Sequence, residues 1–304
     1  MTTSDSALDG ISPYIYGTTR LGDEKIPRQE RLAVARAAMN AGVWFHTSHT
    51  YGEALGVLAE VFKEQPTKIP RLIIKTGWDN INQLRGVIEE NLKPLELKGM
   101  QLGQLCLSGE LAQDFANGGN CFKVFQDLKN EGLVRGYVVE AFPWTSEPAL
   151  KALRAGYTRG IIDGFIFYLN PLQRFASNAL WEEIVKQKQP IIAMRTVSGG
   201  PVHALRDIPG FAWKDYLQKR AVQVAPIFDR SGIKSWTEFC VRFAHSIPLV
   251  RATVGSTAQI QNLNEFLAAK DHLEPLPEGV VQEIQALQSR WSDEVDMHAE
   301  LWSM

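Results

Sequence analysis

The feature that most constrains this chain is a period. Short apolar runs at 14–18, 43–46, 71–75, 102–107, 136–140, 163–168, 190–194 and 250–254 each lead toward an amphipathic stretch. Strands that are apolar throughout, rather than alternating, fit a parallel sheet covered on both faces. The stretches between them read as helices at 29–41, 53–64, 82–93, 121–130, 146–155, 177–187, 213–230, 235–246 and 257–269. In the first, Leu32, Ala35 and Met39 fall three and four residues apart, and Gly42 follows as a stop. A doubly wound sheet usually has about five or six strands and a glycine-rich first turn. Here the unit recurs eight times without a GxGxxG, so the expected fold is α/β, a (β/α)8 TIM barrel.

Residues 278–301, with Val281, Ile284, Leu287, Trp291 and Val295, predict an extra C-terminal helix on the outside. Residues 1–13 read as a tail or a short cap, and no composition break divides 1–304, so a single domain is expected. A net charge of −2 over 304 residues offers no field for nucleic acid or an anionic membrane. Cys106, Cys121 and Cys240 are odd in number and lack a CxxC, which argues against a disulfide framework and for a reducing, cytoplasmic compartment. Cys106, inside an apolar run, reads as a buried thiol.

Barrel chemistry sits where strands end and their loops begin. Phe45 to Gly52 is such a place, carrying His46, His49 and Tyr51; Lys75 ends the next strand. A phenol works as a proton donor or acceptor near neutral pH only if something lowers its pKa, and Lys75 is the candidate. Packing and a solvated lysine are the alternative. The loops after the seventh and eighth strands, Thr196 to Gly200 and Val254 to Gln259, match the usual phosphate site of a barrel. Ser256 and Gln259 are spaced as a capping box, and a simple capped helix is the competing reading. His46 and His49 have no third ligand at a matching spacing, so no metal is expected. Trp78, Phe142, Trp144 and Tyr168 lie near the mouth, as a ligand pocket or as rim packing.

The chain resembles the aldo-keto reductases. Phe45-His46-Thr47-Ser48-His49-Thr50-Tyr51-Gly52 resembles their F-D-T-A-x-x-Y-G, and Tyr16 to Gly22 their first-strand G-T-x-x-x-G. Ile73-Ile74-Lys75-Thr76 matches the strand bearing the family's lysine. Gly132 to Phe142 parallels G-K-I-R-x-I-G-V-S-N-F, and Tyr168-Leu169-Asn170-Pro171-Leu172 the E-Y-N-P-L after strand six. The resemblance implies an NADP(H)-dependent carbonyl reductase acting on a small molecule, sugar-like substrates included. Its tyrosine, here Tyr51, donates a proton to the carbonyl oxygen. Its lysine, here Lys75, lowers the tyrosine's pKa. Candidate cofactor contacts are Thr18, Arg195, Ser198, Gly199, Gly255, Ser256, Thr257 and Gln261.

Several family positions carry other residues. The aspartate that pairs with the lysine is His46, and the substrate-orienting histidine falls on Gly109. Ser-Asn after strand five reads Glu140-Ala141, and the strand-six glutamine falls on Phe165 or Ile166. Basic residues for an adenosine 2′-phosphate are missing from Ser256-Thr257-Ala258. A histidine beside an ammonium stays neutral, so Lys75 is expected to have a lower pKa than in the family and a weaker hold on Tyr51.

Glu140 needs a partner if buried, Lys75 or Arg195, and otherwise belongs to a solvated loop. Two further readings follow. Tyr51, Lys75, His46, His49 and Glu140 could form an acid/base cluster of a non-redox lyase or isomerase on a keto-sugar. Alternatively, the barrel is catalytically retired and binds a ligand.

Overall fold

The computed structural model describes residues 6–77, 80–198 and 214–296. Within them, eight parallel strands close into a barrel. They are β1 (Tyr14–Gly17), β2 (Trp44–Thr47), β3 (Leu72–Gly77), β4 (Met100–Cys106), β5 (Val134–Glu140), β6 (Ile162–Asn170), β7 (Ile191–Met194) and β8 (Val250–Ser256). Closure comes from β8 pairing β1, Gly17 opposite Ser256, and from β5 pairing β6, Glu140 opposite Ile166. The expected (β/α)8 barrel is therefore the fold.

The helices clothe the barrel because their apolar stripes match the spacing read from the sequence. They are α1 (Arg28–Asn40), α2 (Ala54–Glu64), α3 (Leu84–Leu92), α4 (Gly109–Ala116), α5 (Cys121–Asn130), α6 (Ser146–Ala155), α7 (Asn178–Lys186), α8 (Lys214–Ser231), α9 (Trp236–His245), α10 (Ile260–Ala269) and α11 (Glu278–Trp291). In α1 the predicted Leu32, Ala35 and Met39 are all buried, and Gly42 follows at φ 68°. The sequence reading had no helix at α4. That segment is short and opens on Gly109 at φ 51°, but Leu111 and Phe115, one turn apart, carry its buried face.

The expected tail helix exists as α11, which continues in a π-helical turn over Ser292–Asp296; residues beyond 296 lie outside the described ones. Gln288 on α11 donates from Nε2 to the carbonyl of Asn170 at 2.8 Å, fastening the helix to the end of β6. At the opposite end, residues 6–12 are a cap rather than a tail. Ala7 and Leu8 are buried, Gln101 Nε2 donates to the Ala7 carbonyl at 2.6 Å, and Trp44 Nε1 to that of Gly10 at 3.0 Å. This cap closes the N-terminal mouth and leaves the C-terminal one for chemistry. Among the described residues no helix is long and apolar enough to cross a membrane.

Candidate active site

Tyr51 is placed by backbone contact. A Cβ on Gly22 would stand 1.7 Å from the Tyr51 carbonyl oxygen, and one on Gly52 would stand 2.7 Å from that of Gly22. The two loops touch through their main chains, which explains both glycines. Gly52 also sits at φ 50°, where a side chain is strained. Beneath the loop, the Thr18 hydroxyl donates to Thr47 Oγ1 at 2.8 Å, and the Thr18 amide to the His46 carbonyl at 3.0 Å.

Lys75 and Glu140 form the electrostatic centre. Nζ of Lys75 lies 3.4 Å from Oε1 of Glu140, and their side chains are 7% and 1% exposed. The Cys106 thiol donates to the other oxygen, Oε2. Strand register produces this set: Lys75 is opposite Gln104 and Cys106 opposite Glu140, and inward positions recur every second residue. Glu140 is thus no part of a solvated loop.

Relative to an ordinary lysine, Lys75 is shifted upward. Burial, the largest single influence, lowers Lys75, but the Glu140 carboxylate and, to a smaller extent, Tyr51, Cys106 and Tyr168 together outweigh it, and the net shift is upward. The ammonium is retained. Burial pushes the Tyr51 phenol up to about 12, while Lys75 pulls the other way and Glu140 adds to the rise.

His46 behaves as the sequence implied. It is 3% exposed, its Nε2 lies 2.6 Å from Oε1 of Gln104, and Gln104 in turn donates to Met194 Sδ at 3.9 Å. Because Gln104 Oε1 only accepts, His46 carries its proton on Nε2. Burial, then the charge of Lys75, hold its pKa at about 4. The unfolded histidine titrates near 6.5. As pH falls from about 6.5 toward 4, the unfolded chain takes up a proton that the folded chain refuses, so stability is lost across that window. The shift corresponds to about 3 kcal/mol. Urea unfolding at pH 7.5 and pH 4 should show that loss in the wild type and not in His46→Gln. Equal pH slopes in the two would contradict it.

The other candidates fall into two groups. His49 is drawn to α3: its backbone amide donates to Asn91 Oδ1 at 2.7 Å, and Asn91 Nδ2 lies 3.0 Å from its Nδ1. Arg195 lies on the rim with its guanidinium 4.8 Å over the Tyr168 ring. Ser198 is a half-buried rim residue; Gly199, Gly200, Trp78 and Asp79 lie outside the described residues. The Gly255 carbonyl accepts from the Tyr14 hydroxyl at 3.0 Å, and the Thr257 carbonyl from Tyr16 at 2.7 Å. Gln261 is exposed on the first turn of α10.

The Ser256–Gln259 capping box does not form. Ser256 is still in β8 and its hydroxyl accepts from the Arg20 amide at 3.1 Å, while α10 starts only at Ile260. Its N-cap, Gln259, makes no side-chain cap, so the first amides of α10 have no acceptor from a cap or from within the helix. That donor set fits the phosphates of a nucleotide. In the barrel interior, by contrast, Glu140 is engaged by Lys75 and Cys106. Asn170 is also committed, donating to Gln173 Oε1 at 3.0 Å and to the Arg195 carbonyl at 2.9 Å.

Sequence reading did not single out Gln104. A polar residue at an inward position of the apolar run Leu102-Gly103-Gln104-Leu105-Cys106 was the available signal.

A parallel barrel with a phenol, an ammonium and a carboxylate at its C-terminal mouth defines an enzyme-type (β/α)8 scaffold. The sequence matches the model of the aldo/keto reductase family over residues 13–289, and the chain belongs to that family. No curated protein matches the chain significantly. Among solved structures, an aldo/keto reductase from Klebsiella pneumoniae in complex with NADP and acetate is 16% identical. It covers 92% of each chain with a TM-score of 0.69. An aldo-keto reductase from the same organism in complex with NADPH is 15% identical over 92% of each chain, with a TM-score of 0.68. One from Bacillus halodurans, in its holo form, is 16% identical over 95% of this chain and 96% of that one, with a TM-score of 0.69. At such identities the likeness is one of fold.

Proposed function

We propose that this protein is an NADP(H)-dependent reductase of a small carbonyl compound, with Tyr51 as proton donor and Lys75 as its electrostatic partner. The observation that carries the reading is the Lys75–Glu140 contact of 3.4 Å in a buried setting. With histidine at position 46, Lys75 receives its counter-charge from β5 instead of β2. At neutral pH the phenol, lifted by burial to about 12, is protonated, and Lys75, which pulls that value down, would assist its proton transfer. A reduced nicotinamide nucleotide, when bound, supplies the hydride; the amides opening α10 and the rim residues Arg195 and Ser198 would hold its phosphates. As negative charge builds on the carbonyl oxygen, Tyr51 would deliver the proton there. Glu140 has both oxygens engaged, which favours a counter-charge role over that of a free base in a lyase or isomerase.

Titration with NADPH should change its fluorescence, and small aldehydes or keto-sugars should then consume it. No binding of NADPH or NADH at millimolar concentration would defeat the reading.

A further inference from the structure

Arg31 is a buried cation to which the proposed reaction gives no role. It lies in the first turns of α1, is 5% exposed, and meets no carboxylate among the described residues. Its Nη1 donates to the Leu21 carbonyl at 2.9 Å, while its Nε has no hydrogen-bond partner among them. Burial disfavours a charge here, and so does the partial positive charge at the N-terminal end of a helix. A leucine or methionine would fill the space without either penalty. The bond to Leu21, rather than packing, accounts for an arginine.

That bond lands on the turn that supports Tyr51. Leu21 belongs to the 3-10 turn Thr19–Gly22, and its amide donates to the Thr18 carbonyl at 2.8 Å. The Leu21 carbonyl and the Gly22 amide share one rigid peptide plane. Gly22 is the residue whose main chain touches the Tyr51 carbonyl and leaves no room for a Cβ. By holding that plane, Arg31 sets where Gly22 meets the Tyr51 loop. Other ties of the segment run elsewhere: the Thr18 amide goes to the His46 carbonyl at 3.0 Å, and the Arg20 amide to Ser256 Oγ at 3.1 Å. Neither fixes the Leu21–Gly22 peptide.

We propose that Arg31 is a positioning residue for Tyr51. Through the Leu21–Gly22 peptide it holds the proton-donating phenol at the place the transfer needs. Arg31 keeps all its protons and acts only through the main chain, so the balance of the step is unchanged. Misplacing a reacting group by about 1 Å can cost about 100-fold in rate, even when the change lies away from the chemistry. This inference rests on the reductase reading.

Arg31→Met and Arg31→Lys test it in the full-length protein, because methionine fills the space without a donor and lysine keeps a charged one. With kcat expressed per NADPH-binding site, Arg31→Met should lose about 10- to 100-fold, with KM and NADPH affinity within about threefold of wild type. Arg31→Lys should recover kcat to within about fivefold of wild type. Should Arg31→Met fail to fold, Arg31→Gln, too short to reach the carbonyl, takes its place, and Arg31→Lys is expected to be about fivefold or more faster than it. Wild-type kcat in Arg31→Met overturns the proposal. So does a loss confined to KM or to thermal stability, which would assign the guanidinium to the fold alone. A kcat no higher in Arg31→Lys than in the variant without the bond overturns it as well. If the wild type shows no NADPH-dependent turnover, the reductase reading itself fails and takes this inference with it. A normal wild type beside an unaffected Arg31→Met defeats the inference alone.

Discussion

Tyr51→Phe lowers NADPH-dependent reduction by about 10²- to 10⁴-fold while NADPH binding persists. A positioned general acid contributes about that much, and the substitution removes a single oxygen from a ring that keeps its packing. The loop that carries residue 51 is fixed by the Gly22–Gly52 backbone contact and not by the hydroxyl, so the fold should not change. The measurement is steady-state turnover alongside a fluorescence titration of the same preparation. Activity within tenfold of wild type would remove Tyr51 from the proton transfer. Loss of nucleotide binding together with activity would point to a displaced loop.

Lys75→Met destabilises the protein by about 3–5 kcal/mol, the usual result of stripping one partner from a buried ion pair. Methionine matches the stem of lysine, so little cavity is created. The penalty comes from the Glu140 carboxylate, whose side chain is 1% exposed and is left without its counter-charge. Adding Glu140→Gln to the same chain should recover most of the loss, because a neutral pair has no charge to desolvate. Chemical denaturation of the two single variants and the double variant gives the coupling directly. Additive losses would show that the two groups do not act as a pair.

Much of the barrel was legible in the sequence because periodicity and register obey simple geometry. Apolar runs predicted the eight strands, and α5 and α6 begin and end where the pattern places them. The ends of elements were less legible. α10 starts three residues later than expected because the Ser256 hydroxyl serves the Arg20 backbone, a long-range partner that no local pattern reveals.

The site divides in the same way. Position in the chain brought Tyr51, Lys75 and His46 to one mouth. Of the two partners the sequence offers for Glu140, Lys75 is the one it meets, 65 residues away across the β3–β4–β5 register. His49, adjacent in sequence to the cluster, is claimed by Asn91 on α3. Sequence neighbourhood suggested otherwise, and side-chain partners decided it.

The claim that Glu140 keeps Lys75 charged has a direct test in the pH–rate profiles of the wild type and Glu140→Gln. Without the carboxylate, burial is left to act on Lys75 and draws its pKa below the ordinary lysine range. Glu140→Gln should then show a decline in kcat between about pH 7 and 10 that the wild type lacks, as the ammonium beside Tyr51 is lost. Profiles of the same shape for the two proteins would contradict the account.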